Sequence, residues 1–161
     1  MHIVSSAKGR LVELGEAECL ALLASVAVGR VGISSRALPA ILPVSFVLHG
    51  GDILFRTVPG TGLQAGVAGS VVAFEADRFG SSEKEESWSV LVCGLAEEIT
   101  DPDLRATLDP LLPDSWAFNG GADHVIRIPT TRVTGRRLEP VPRSIPQQRA
   151  QSQIETGPVE L

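Results

Sequence analysis

Between Glu16 and Ala27 the apolar residues Ala17, Leu20, Ala21, Leu23 and Ala24 recur three and four apart, the spacing of a helix with one buried face. Glu16 and Glu18 fall in its first turn, where the helix dipole favours acids, and Gly15 is an acceptable N-cap. Beyond it the period shortens. Gly29-Arg30-Val31-Gly32-Ile33-Ser34 reads as a short strand closed by a polar turn at Ser35-Arg36. Ala40 to His49 and Asp52 to Val58 read as two arms of a hairpin joined at Gly50-Gly51, where positive φ costs glycine little. Pro43 has no N–H to give a ladder, so the first arm is expected at an edge or a bulge there.

Pro59-Gly60-Thr61 ends the hairpin and starts a short helix over Gly62 to Ala68. That helix is intrinsically weak, because Gly62 and Gly66 each cost about 1 kcal/mol relative to alanine. Val71 to Ala76 is a strand, Phe79 to Ser87 a solvated loop with an acidic run, and Trp88 to Thr100 a long strand. Asp101-Pro102 then combines a capping side chain with proline at the first helical position, and that helix runs through Leu104 and Leu108 to stop before Pro113. His124 to Ile128 and Arg132 to Leu138 supply the last strands. About six short strands with two or three helices, and no regular βαβ alternation, predict an α+β fold whose antiparallel sheet curls into a small barrel.

Past Glu139 the pattern stops. Pro140, Pro142, Pro146 and Pro158 stand among Gln, Ser and Glu with little that could pack. The chain is therefore divided into a folded domain, 1–138, and a tail, 139–161, expected to be mobile or to lie along a partner subunit. A length of 161 residues suits one domain, and 43% apolar with 20% charged residues is an ordinary globular balance. The net charge of −5, with no Lys/Arg block, argues against nucleic acid and against a polybasic membrane module. No apolar run approaches the roughly 20 residues of a bilayer span. Met1 to Arg10 also lacks the apolar centre of a secretory signal, so a cytoplasmic location is expected. Cys19 and Cys93 are the two cysteines; neither clusters with His2, His49 or His124, and both are expected as small buried apolar side chains in a reducing compartment. No metal site is expected.

The chain carries no nucleophile elbow, Walker loop, HExxH or GxGxxG motif, and it has no tyrosine. Chemistry must come from a bound cofactor or a partner, or be absent. One stretch stands out: Phe55-Arg56-Thr57-Val58-Pro59-Gly60-Thr61-Gly62-Leu63 places a guanidinium and two hydroxyls around a glycine turn that runs into a helix N-terminus. Such backbone N–H groups and a bidentate arginine make an anion pocket; a hairpin exit with a surface arginine is the plain alternative. Trp88 is by type a core or interface anchor. Arg136-Arg137 reads as a solvated strand end, and His49 beside the Gly-Gly turn as an exposed residue without a role.

Leu42 to Thr57, followed by Pro59-Gly60-Thr61, resembles the centre of the pyridoxamine 5'-phosphate oxidase-like family, FMN-binding split barrels, in its actinobacterial branch. Cys19 to Leu23, Gly29-Arg30-Val31, Val72 to Asp77, Trp88 to Gly94 and Val133 to Leu138 follow in the family's order, so the resemblance covers residues 10 to 138. It implies a homodimer of six-stranded split barrels with FMN in clefts along the interface. By that resemblance Pro43, Val44, Ser45 and Phe46 run beside the isoalloxazine ring, and Arg56 and Thr57 face the ribityl phosphate. Thr61, Gly62 and Leu63 fall in the phosphate loop, Trp88 and Ser89 touch the flavin from a neighbouring strand, and Trp116 approaches the ring. The family pattern has lysine where Gly62 stands, and a lost charge-assisted bond of about 1.5–3 kcal/mol is roughly a 10- to 150-fold loss in affinity. Arg78 or Arg30 are the cations that could substitute. The implied function is an FMN-dependent oxidoreductase passing hydride or electrons from a nicotinamide donor, NAD(P)H, to a small organic acceptor. A deazaflavin in the same cleft, or a non-catalytic dimer that stores or senses a flavin or has lost it, is the alternative. No catalytic residue is assigned.

Overall fold

The computed structural model describes residues 5–6, 9–35, 37–58, 66–80, 86–113 and 124–139. In chain order these form β1 (Ser5–Ser6), β2 (Gly9–Leu14), α1 (Glu16–Ala24), β3 (Val28–Ser35), β4 (Leu38–His49), β5 (Asp52–Thr57), β6 (Val71–Arg78), β7 (Ser87–Leu95) and β8 (Glu97–Glu98). Then follow α2 (Pro102–Leu108) with a 3₁₀ turn at Asp109–Leu111, β9 (His124–Ile128) and β10 (Val133–Glu139). Neighbouring strands are antiparallel throughout, in the order β1-β2-β10-β7-β6-β3-β4-β5-β9-β8. This is the expected curled antiparallel sheet, with more strands than six because β1 and β2 precede α1 and β8 splits from the strand after Trp88.

β4 makes the curl. Its 12 residues pair with β3 from Leu38 to Ser45, then with β5 from Phe46 to His49. One strand thus belongs to two half-sheets that face each other across the core. Alternation puts Val31, Ile33, Val44, Phe46, Phe55, Phe74, Trp88, Val90 and Ile126 inside, buried together. Phe46 and Phe74 meet edge to face, centroids 4.8 Å apart and planes at 68°. Gly29 makes room for that pair: a Cβ there would lie 2.3 Å from the Phe74 ring. A second cluster, Leu54, Ile99, Leu108, Leu112 and Val125, forms on the outer face of β5 and β9 under α2.

The local signals acted as chemistry demands. Asp101 accepts from the N–H groups of Asp103 and Leu104, and proline opens α2. Gly50 and Gly51 take φ of 61° and 89° at the hairpin tip. Helix α1 ends at Ala24, capped by Ser25, before the expected Ala27. The long strand from Trp88 breaks at Ala96, whose N–H donates to Ser70 O at 2.9 Å while its carbonyl accepts from Gly69 N at 2.8 Å. β10 runs through Glu139, which pairs with Arg10. The phosphate-loop residues Thr61, Gly62 and Leu63, the acidic run 83–85, Trp116 and residues 140–161 lie outside the described residues, as does the helix expected over 62–68 apart from Gly66 to Ala68.

Candidate functional site

The site follows from the two-sided use of β4. Phe46 N donates to Ala27 O at 3.1 Å, so even-numbered positions turn their backbone groups to β3 and odd-numbered ones to the other edge. Over Leu38–Ser45 that other edge has no strand against it among the described residues. Pro39 and Pro43 both lie on it, leaving N–H groups only at Ile41 and Ser45, which is how a bare edge is kept from pairing indiscriminately. The expectation of an edge at Pro43 holds. Side chains alternate as well: Val44 and Phe46 are buried in the core, Pro43 is exposed and Ser45 half-buried on the outer face.

The β4–β5 ladder ends at the pair Phe46–Phe55, and Arg56 and Thr57 pair onward with Val125 and His124 of β9. Ser45 and Arg56 therefore flank the point where β4 and β5 part, with Thr57 next to them. Thr57 is 2% exposed, the one buried polar residue among those described. Arg56 sits on the opposite face of β5 from Thr57 and is engaged within the chain. Its Nη2 donates to Asp109 O at 2.9 Å and lies 3.4 Å from Asp109 Oδ1, which Arg105 Nη2 approaches to 3.8 Å. A guanidinium at the carboxyl end of a helical segment meets the negative end of its dipole. Arg56 thus ties the 3₁₀ turn to the sheet.

Trp88 and Ser89 are brought elsewhere. They lie on β7, two strands removed from β4, with Trp88 2% exposed in the core and Ser89 on the outer face opposite Asp77. Within the chain Trp88 is a core anchor. Arg30, one of the cations considered for the missing lysine, is occupied: its Nη1 reaches Asp77 Oδ1 at 2.7 Å and Glu75 Oε2 at 3.2 Å. Burial and Asp77 push the Glu75 carboxyl above its usual range, while Arg30 opposes them. Arg78 is exposed at the end of β6. Cys19 is fully buried under α1, its thiol raised first by burial and then by Glu18. Cys93 is only half-buried, a departure from the expectation of two buried thiols caused by its place on the outer face of β7.

Two groupings were not legible in the sequence. One is the Arg56–Asp109–Arg105 cluster. The other is His124, whose Nδ1 lies 2.5 Å from Glu98 Oε1 and whose Cα partner across the ladder is Thr57. No motif spacing announces either; only strand alternation around Thr57 could have hinted at them. Among the described residues no three His, Cys, Asp or Glu side chains gather as a metal site, and no helix is long and apolar enough to cross a membrane.

A curled antiparallel half-barrel with this divided strand is the architecture of a known class, and comparison agrees. Residues 15–137 match the model of the pyridoxamine 5'-phosphate oxidase family, and the chain belongs to that family. It is similar to an uncharacterized Mycobacterium tuberculosis protein, Rv0080, 40% identical over 133 residues that cover 80% of this chain and 86% of that one. Among solved structures it is similar to the FAD binding protein from Mycobacterium smegmatis, with a TM-score of 0.70, 34% identity, and coverage of 80% of this chain and 98% of that one. A conserved Corynebacterium diphtheriae protein of unknown function superposes with a TM-score of 0.66 at 29% identity, covering 80% and 98% of the two chains.

Proposed function

We propose that the protein binds a phosphate-bearing flavin where β4 and β5 part, and uses it as an oxidoreductase. The observation that carries this reading is the opening itself: an edge of β4 with no strand against it among the described residues lies beside Arg56 and Thr57, where β4 and β5 diverge. The residues present fit the group. Edge backbone at Ile41 to Ser45 offers donors and acceptors to the polar rim of an isoalloxazine ring, and Arg56, on the outer face with Ser45, adds a guanidinium for a phosphate. Similarity to the FAD binding protein from Mycobacterium smegmatis supports a flavin, and FMN and FAD share the ring, the ribityl chain and the first phosphate. Bound there, the flavin would carry hydride or electrons from NAD(P)H to a small organic acceptor. The protein's part is to hold the ring against the strand edge and to grip the phosphate.

Titration with FMN should quench flavin fluorescence with a dissociation constant on the order of micromolar, FAD should compete, and riboflavin should bind less well. Equal affinity for FMN and riboflavin, or no binding of any flavin, would remove the proposal. A non-catalytic dimer holding a flavin or deazaflavin is the second reading, favoured by Gly62 at the family's lysine position. Steady NAD(P)H consumption with an added acceptor separates the two.

A homodimer belongs to the same proposal. The outer face of β3, β4, β6 and β7 exposes Ile41 at 72%, Val71 at 75% and Leu95 at 48%. An apolar patch of that kind on a sheet is the mark of an interface, and a two-fold partner would cover it. Sedimentation should give twice the 17.0 kDa chain mass, and Ile41→Asp should return the protein to a monomer. A wild-type monomer at micromolar concentration would refute the dimer.

A further inference from the structure

We infer that the outer face of the sheet is a self-complementary contact, in which Asp77 of one copy of this chain meets Arg136 of another, twice, about a two-fold axis along β7. The inference rests on the homodimer reading above and goes beyond it by naming the axis and the pairs that set the register. The ladders lay this face out row by row. Asp77, Ser89 and Arg136 stand side by side on β6, β7 and β10, and Glu13 of β2 follows Arg136. Alternation puts Glu75 with Asp77, Leu91 and Leu95 with Ser89, and Leu138 with Arg136, all on this one side.

The charges on the face are unevenly met within the chain. Arg30 Nη1 lies 2.7 Å from Asp77 Oδ1 and 3.2 Å from Glu75 Oε2, so two carboxylates share one cation. Arg136, two strands from Asp77 in the same row, is exposed and makes no ion pair with any described residue, its ladder neighbour Glu13 included. A two-fold axis relating two sheets packed face to face lies in the plane between them and brings together positions equally far to either side of it. Laid along β7, it sets β6 of one copy over β10 of the other. Each Asp77 then meets the partner's Arg136, which supplies the missing cation. The same operation lays Phe79, 76% exposed just past β6, over the partner's Leu138, 43% exposed opposite Ser87, and sets Leu91 and Leu95 on their own copies. Aligned sheets cross at about 30°, a divergence that residues one strand from the axis tolerate. Charge selects this axis over its neighbours. Along β6 it would stack Asp77 and Glu75 on themselves, and along β10 it would stack Arg136 on itself, both like-charge contacts.

Charge reversal in mixed pairs gives the direct test, read by sedimentation and native mass spectrometry of the full chain. Arg136→Glu and Asp77→Lys, each alone, put a like-charge contact into the dimer twice and should raise its dissociation constant by about a hundredfold or more. Mixed in equal amounts, the two variants should recover a heterodimer of wild-type strength, because both crossing contacts then join opposite charges. An apolar interface in any other register gives no such recovery. Asp77→Asn and Arg136→Gln keep size and polarity and test the same contact without reversing charge. Each should raise the dissociation constant about three- to twentyfold, and the double variant no more than the costlier single one, since all three lose the same pairs. Additive losses, or a dimer that none of these substitutions loosens, overturn the pairing and leave the homodimer standing. A wild-type monomer at micromolar concentration removes both.

Discussion

Phe74→Ala is expected to lower the unfolding free energy by about 3–5 kcal/mol, the range for emptying a buried aromatic site. Phe74 is fully buried, meets Phe46 edge to face at 4.8 Å, and lies over Gly29 of the adjacent strand. Removing the ring therefore loses area, an aromatic pair and the plug of a glycine-floored slot at once. The same packing predicts the reciprocal effect. A Cβ at Gly29 would fall 2.3 Å from the ring and 2.9 Å from the Glu75 carbonyl, so Gly29→Ala should destabilise by about 1–3 kcal/mol. In the Phe74→Ala background most of that penalty should vanish, since only the backbone contact remains. Urea unfolding at fixed protein concentration, followed by tryptophan fluorescence, measures the cycle. If Gly29→Ala costs the same in both backgrounds, the account of Gly29 as a slot for Phe74 is wrong.

Local chemistry in the sequence located what local chemistry controls. Asp101-Pro102 starts a helix because a carboxylate and a missing N–H both suit the first turn. Gly50-Gly51 turns the hairpin because it needs positive φ, and Pro43 marks an edge because it cannot donate. The alternation of Val72, Phe74 and Ala76, then of Trp88, Val90 and Val92, gave the core face of two central strands. The break at Ala96 was illegible because it is made by Ser70 and Gly69, from the other end of the β6–β7 hairpin. β2 was illegible for a similar reason: its ladder partner is β10, more than a hundred residues on. At the candidate site the residue types around Arg56 pointed to anion chemistry, while the partners that decide its use did not show. Asp109 is 53 positions from Arg56, and Glu98 is 26 from His124.

Arg56→Ala should weaken FMN roughly 10- to 150-fold while leaving riboflavin nearly unchanged, because a charge-assisted contact of about 1.5–3 kcal/mol is lost only for the phosphate. The structure adds a second consequence. Arg56 also holds Asp109 O at 2.9 Å, so the variant should melt earlier even without ligand, as the 3₁₀ turn loses its tie to β5. Affinity and stability would then fall together, and one variant cannot apportion them. Asp109→Asn can. It keeps the main-chain carbonyl that Arg56 uses, but removes a half-exposed carboxylate 3.4 Å from Arg56 and 3.8 Å from Arg105. With that competing anion neutralised, the guanidinium should meet a phosphate more readily, and FMN should tighten by about two- to fivefold, the scale of one partly solvated ion pair. Riboflavin should not respond. Arg56→Lys keeps the charge without the fork, and should recover less than half of the lost binding energy if the grip is bidentate. Should Arg56→Ala lower the melting temperature with FMN affinity intact, and Asp109→Asn fail to tighten FMN, then Arg56 is a strut for the 3₁₀ turn and the phosphate is held by other groups.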